Sequence, residues 1–173
     1  MTQPLLIATL DSDMAPVTEG AVVGVELSDT TKGTISEKLF EVGALRRGWF
    51  VASNTGGGND FDSVIKRAHM PVCVVVQTRS ATPYPKQFGC YQFSLSTCGS
   101  LYAPTAFHVL AIHLPDTDEF VFFTRAEMGN RKGSSYTRPE HRKFAPRHTA
   151  MASRDPNNWN LLDEVAESLT QTQ

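Results

Sequence analysis

Residues 72–78 read Val-Cys-Val-Val-Val-Gln-Thr. A run so continuously apolar and β-branched belongs to a strand in the middle of a sheet. It ends abruptly in Gln77-Thr78-Arg79, so a central strand terminates in polar chemistry. Whatever surrounds it must supply neighbouring strands and a reason for those three residues.

The 173 residues suffice for one domain, or one domain with a tail. A hydrophobic share of 40% against 20% charged supports a packed core and argues against a wholly disordered chain. Ile35, Leu39, Val42 and Leu45 fall at helical spacing, with Thr34 as the expected N-cap and Glu37 as its capping-box partner. Arg46 and Arg47 suit the last turn, and Gly48 ends it.

Strands are expected at Trp49–Ala52, Phe61–Lys66, Val72–Thr78, Cys90–Leu95, Phe107–His113 and Glu119–Phe123. The segment Leu101–Ala106 reads as a short helix or a turn. From Arg125 to Asn158 the chain is polar and without periodicity, which predicts a long loop. A last helix follows, with Asn160 as cap, Leu161, Leu162, Val165 and Leu169 on its apolar side, and Trp159 pinning it to the body.

Charge is distributed unevenly. Lys plus Arg number 16 and Asp plus Glu 18, yet residues 1–30 hold five acids and no base. Residues 125–154 hold eight Lys or Arg against two Glu. Within that segment Arg131, Lys132, Arg138, Arg142, Lys143 and Arg147 suit phosphate contacts; the plainer alternative is a solvated loop offsetting the acidic arm.

Leu5–Leu10 lacks the basic flank of a signal peptide, and no apolar run approaches the roughly 20 residues that cross a bilayer. A cytoplasmic protein with no membrane partner is expected. Three Cys and five His show no zinc spacing, and Gly56-Gly57-Gly58 is not followed by a phosphate-loop pattern, so no organic cofactor is expected.

The informative constellation is Glu37 in the first helix, Asp62 in the second strand and Gln77-Thr78-Arg79 closing the third. If the second and third strands form a hairpin, Asp62 meets Gln77 or Arg79 at its open end. A divalent ion would account for such a group, since hard cations take carboxylates, carbonyls and waters. The plainer account leaves Glu37 as a cap, Asp62 as a turn residue and Arg79 in a surface ion pair.

Lys32-Gly33-(x)3-Glu37, Leu45-(x)2-Gly48-Trp49-Phe50-Val51, Phe61-Asp62-Ser63-Val64-Ile65 and Val74-Val75-Val76-Gln77-Thr78-Arg79 occur in that order. This succession resembles the PD-(D/E)xK nucleases, in the branch that includes Holliday-junction resolvase-like and intron-encoded endonucleases. The resemblance implies an α/β restriction-endonuclease-like fold: a three-layer core with a mixed central sheet flanked by helices. It implies an N-terminal arm over residues 1–31, a nuclease-like core over 32–127, and a basic loop with a C-terminal helix over 128–173.

It further implies Mg²⁺ (or Mn²⁺) held by Glu37 and Asp62, with help from Gln77 or the Thr78 carbonyl. DNA is the implied partner, with possible homodimerisation by family analogy. Two positions depart from the pattern. Gln77 replaces an acidic third ligand, and Arg79 stands where Lys is usual. A guanidinium stays protonated and suits a phosphate clamp rather than a base. Lys66, on the same strand face as Asp62, is the candidate for a migrated lysine. The expectation is a metal-dependent DNA phosphodiesterase. Its alternatives are a catalytically lapsed DNA-binding or assembly protein on the same fold, and an unrelated α/β protein in which Glu37 and Asp62 never meet.

Overall fold

The computed structural model describes residues 26–55, 60–85, 88–97, 100–129, 132–144 and 154–172. The arm before residue 26, the triple-glycine loop, Arg131 and Arg147 lie outside them, as do the side chains of Arg142 and Lys143. The chain begins with helix α1 (Asp29–Arg46), followed by β1 (Phe50–Ser53), β2 (Ser63–Lys66), β3 (Val74–Ser80) and β4 (Thr82–Pro83). Next come β5 (Cys90–Ser94), β6 (Ser96–Thr97), β7 (Ser100–Leu101), β8 (Val109–Leu114) and β9 (Glu119–Thr124). Then follow α2 (Arg125–Met128), β10 (Gly133–Thr137), a 3₁₀ turn (Pro139–Phe144) and α3 (Asn160–Gln171). No described helix is long and apolar enough to cross a membrane.

Five strands form one sheet in the order β1-β2-β3-β8-β9. The β3–β8 pair is parallel and the others are antiparallel, so the sheet is mixed. β3 lies at its centre, as its apolar run predicts. The β2–β3 hairpin has the expected sense, with Ser63 opposite Val76 and Ile65 opposite Val74. One face packs against α1 and α3, and the other beneath a small sheet ordered β10-β5-β4.

Helix α1 starts six residues earlier than expected, with Ser28 in place of Thr34 as its N-cap. The Ser28 side chain caps it by accepting the Thr31 N–H, so Thr34 is interior and Glu37 is released from any capping role. Its end is as expected: Gly48 adopts φ +79°, and the Trp49 N–H returns to the Ala44 carbonyl. Ser36, Phe40 and Ala44 form the buried face. Of the predicted stripe only Leu39 packs against the core; Ile35, Val42 and Leu45 are rotated away, 40%, 44% and 56% exposed.

Aromatic packing decides the rotation. Phe40 stacks on Trp159 at 5.7 Å and meets Phe120 and Phe122 edge-on. Gly43 permits this approach, since a Cβ there would lie 2.6 Å from the Trp159 ring. Trp159 thus pins the C-terminal helix as anticipated. It also occupies the N-cap position expected of Asn160, without a side-chain cap bond.

The long loop expected after Arg125 is a second correction. It contains α2, β10 and the 3₁₀ turn, and β10 pairs antiparallel with β5 along Gly133–Thr137. Tyr136 goes into the second core beside Tyr91 and Phe123.

Truncating Phe40 or Trp159 to alanine is expected to destabilise the fold by about 3–5 kcal/mol. Val42→Ala is expected to change it by no more than about 0.5 kcal/mol. Urea unfolding of the three variants checks the order; an equal loss in Val42→Ala would contradict the orientation of α1.

Candidate functional site

Asp62 is held at the mouth of β2 by its backbone. Its N–H donates to the Val76 carbonyl (3.0 Å), and its carbonyl accepts from the Asn54 N–H (2.8 Å). The hairpin register places position 62 beside residues 77 and 78. Asp62 Oδ2 accepts the Thr78 backbone N–H (2.7 Å) and Gln77 Nε2 (2.5 Å). The convergence of Asp62 with Gln77 is therefore present.

Glu37 reaches the same place from α1, near enough for its titration to respond to Asp62. Burial raises the Glu37 carboxyl above its ordinary range, and the Asp62 charge raises it further against the pull of Lys38 and Arg79. Burial likewise raises Asp62, although the Thr78 N–H, Arg79 and Gln77 all act to lower it. Two carboxylates are thus held in a place that disfavours their ionisation.

The surrounding atoms fit a divalent ion. Seven buried side-chain polar atoms lack a hydrogen-bond partner among the described residues, and four belong to Ser63, Gln77, Thr78 and Arg79. Three of the four, on Ser63, Gln77 and Thr78, are oxygens able to accept from water or face a cation, whereas Arg79 Nε is a donor. Gln77 gives its Nε2 to Asp62 while its Oε1 has no donor. An amide oxygen so placed suits Mg²⁺ as the third ligand beside two carboxylates. Among the described residues no three His, Cys, Asp or Glu side chains converge, so any site here depends on that amide.

Arg79 follows on the Gln77 face of β3, with its guanidinium 5.5 Å from the Tyr102 ring. It acts electrostatically on both carboxylates. A cleft of about 780 Å³ opens beside it, bounded by Lys32 and Gly33 of α1, Thr78–Ser80 of β3 and the small sheet.

Other expected residues fall elsewhere. Lys66 stands opposite Phe50 at the closed end of the hairpin. Four strand positions separate it from Asp62, about 13 Å along an extended chain. It does not join the cluster. Arg138 is not presented to solvent as a phosphate contact: it donates to Glu119, Thr117 and the Tyr91 hydroxyl. Lys132 is exposed at the entrance to β10.

One contact escaped sequence reasoning. His113, buried in β8, lies with Nδ1 2.9 Å from Ser36 Oγ and Nε2 3.1 Å from Asp118. Ser36 in turn donates to the Lys32 carbonyl (2.9 Å). This chain fastens to the sheet the turn of α1 that carries Glu37. Its available signal was a histidine inside an apolar strand, facing a helix with a serine one residue before the acid.

No protein-family model matches the chain, and no curated protein matches its sequence. A solved structure does match: that of a bacterial homing endonuclease, I-Ssp6803I, with a TM-score of 0.64 over 86% of this chain and 100% of that one. At 18% identity the likeness shows a shared fold. The expected mixed α/β architecture, a mixed sheet flanked by helices, is thus consistent with an endonuclease-like fold.

Raised carboxyl groups make a signed prediction. A carboxyl whose folded value exceeds its unfolded one favours the fold when protonated, and that contribution is lost as pH rises past the ordinary 4.5 of Glu37. In metal-free protein, Glu37→Gln should therefore melt above wild type, by a margin that widens between pH 4 and 7. Thermal melts across that range check it; a margin that shrinks with rising pH would contradict the burial of a strained carboxylate pair.

Proposed function

We propose that this protein is a divalent-metal-dependent DNA phosphodiesterase of the endonuclease type. The observation that carries the reading is Gln77: its Nε2 restrains Asp62, whose charge acts on Glu37, while its own Oε1 is buried without a hydrogen-bond partner among the described residues. The shared fold supports DNA as the substrate, because the neighbour is a homing endonuclease.

Glu37 and Asp62 would be the anionic ligands of Mg²⁺ or Mn²⁺, with Gln77 Oε1 and the Thr78 carbonyl as neutral oxygens. Bound there, the ion supplies a Lewis acid for a phosphoryl oxygen and an acidified water. The Thr78 N–H and Gln77 Nε2 fix the rotamer of Asp62, so the carboxylate is oriented before any ligand arrives. The Arg79 guanidinium can place paired N–H donors on the scissile phosphate, where charge develops. It does not accept a proton. Lys132 is the described basic residue best placed to hold a distant phosphate.

One observation favours a second reading. The cluster contains no lysine and only two negative ligands, which suits a protein that binds DNA without cutting it. The two readings separate on linear, nicked and branched duplexes with Mg²⁺ or Mn²⁺. Cleavage reduced by about a hundredfold or more in Asp62→Ala supports the first. Binding by wild type without cleavage selects the second. Cleavage unaffected by Asp62→Ala contradicts the metal assignment.

A further inference from the structure

The small sheet above the central one has two unlike faces. Tyr91, Phe93 and Tyr136 point down into the second core. Alternation turns Thr82 of β4, Gln92 and Ser94 of β5, and Gly133 and Ser135 of β10 the other way. Registry aligns them: Thr82 and Ser135 both stand opposite Gln92, and Gly133 stands opposite Ser94. These residues line the same cleft as Thr78, Arg79 and Ser80. The polar sheet face therefore shares its opening with Thr78 and Arg79, which adjoin the candidate metal cluster, while Glu37, Asp62 and Gln77 lie outside the lining.

We propose that this face is a base-reading surface for duplex DNA, laid into the major groove with Gln92 as its central reader. The proposal rests on the DNA reading given above. Three observations single out duplex DNA. First, the face is rich in donors and acceptors but carries no charge, whereas a surface that only grips backbone phosphates is cationic. Second, cations stand around it: Arg79 lines the cleft, as does Lys32 in an exposed 3.4 Å ion pair with Asp29, and Lys132 directly precedes Gly133. Phosphate contacts would flank a central reading strip. Third, in the row Thr82–Gln92–Ser135 the first two are exposed and Ser135 is buried at the far end, leaving an open strip about 5 Å across at ordinary strand spacing that a major groove about 12 Å wide admits.

Gln92 occupies the middle of that row on the central strand. It is exposed and, among the described residues, has no side-chain hydrogen-bond partner. Its amide presents a donor and an acceptor side by side, the arrangement that matches N6 and N7 of adenine. Thr82 and Ser94 flank it with hydroxyls able to adapt to either polarity. The metal cluster at one end and the reading row at the other would set cleavage at a fixed offset from the bases read.

Selection from a randomised duplex library, sequenced after binding, tests the assignment on the full chain. Wild type should enrich adenine about tenfold or more at one position. Gln92→Ala should flatten the preference at that position. Gln92→Glu should move it towards cytosine, whose N4 donates to a carboxylate. Lys132→Ala should instead weaken binding to all sequences alike and lower the salt dependence by about one phosphate contact.

Identical preferences in wild type, Gln92→Ala and Gln92→Glu would overturn Gln92 as reader while leaving the DNA reading intact. A wild-type pool enriched in nothing would also overturn the reading surface alone. Absence of duplex affinity in wild type would overturn the DNA reading and this inference together. Circular dichroism of the variants excludes misfolding as the cause of a flat profile.

Discussion

The parallel pairing of β3 with β8 is the constraint on which the rest of the molecule hangs. A parallel pair cannot be closed by a hairpin, so the chain must cross over between Ser80 and Val109. Here the crossover builds β4 to β7, and β10 later joins them through β5 to cover the second face of the sheet. The pairing also runs further than its neighbour: β8 accompanies β3 to Ser80, whereas the β2 ladder ends at Val76. Beyond that point β3 still presents an N–H at Thr78 on its uncovered side. The Asp62 carboxylate takes that hydrogen bond, replacing a strand with a side chain. The candidate site exists because one strand outlasts the next.

That arrangement costs stability. Two carboxylates sit where burial disfavours their charge, and the one guanidinium acting on both does not restore them to their ordinary range. Orphaned oxygens on Ser63, Gln77 and Thr78 add to the strain of the place. Natural folds tolerate local conflicts of this kind where function requires them. The surrounding structure is over-determined enough to bear it: Phe40 and Trp159 lock α1, and His113 fastens the turn before Glu37.

Much of this was legible in the residues. The apolar run through Val76 marks the central strand, and the hairpin it implies brings Asp62 to Gln77 by register alone. The orientation of α1 was not legible, because hydropathy favours Ile35, Val42 and Leu45 over Ser36 and Ala44. Small residues let the helix approach, and Ser36 is buried at no penalty once its hydroxyl has partners. Lys66 shares a strand face with Asp62, but period-two reasoning ignores distance along the strand. Arg138 looked like a free cation because Glu119 and Tyr91, its partners, are remote in sequence. β10 has one core-facing aromatic in a run of serine and threonine, and its pairing with β5 is a tertiary fact.

Whether Glu37, Asp62 and Gln77 hold one ion decides the proposed chemistry. The most direct measurement is anomalous scattering from crystals of the protein soaked in Mn²⁺. The predicted result is a single strong peak among the Glu37 and Asp62 carboxylates and Gln77 Oε1, absent from crystals of Asp62→Ala. Density for Mn²⁺ elsewhere and none between those three side chains would contradict it.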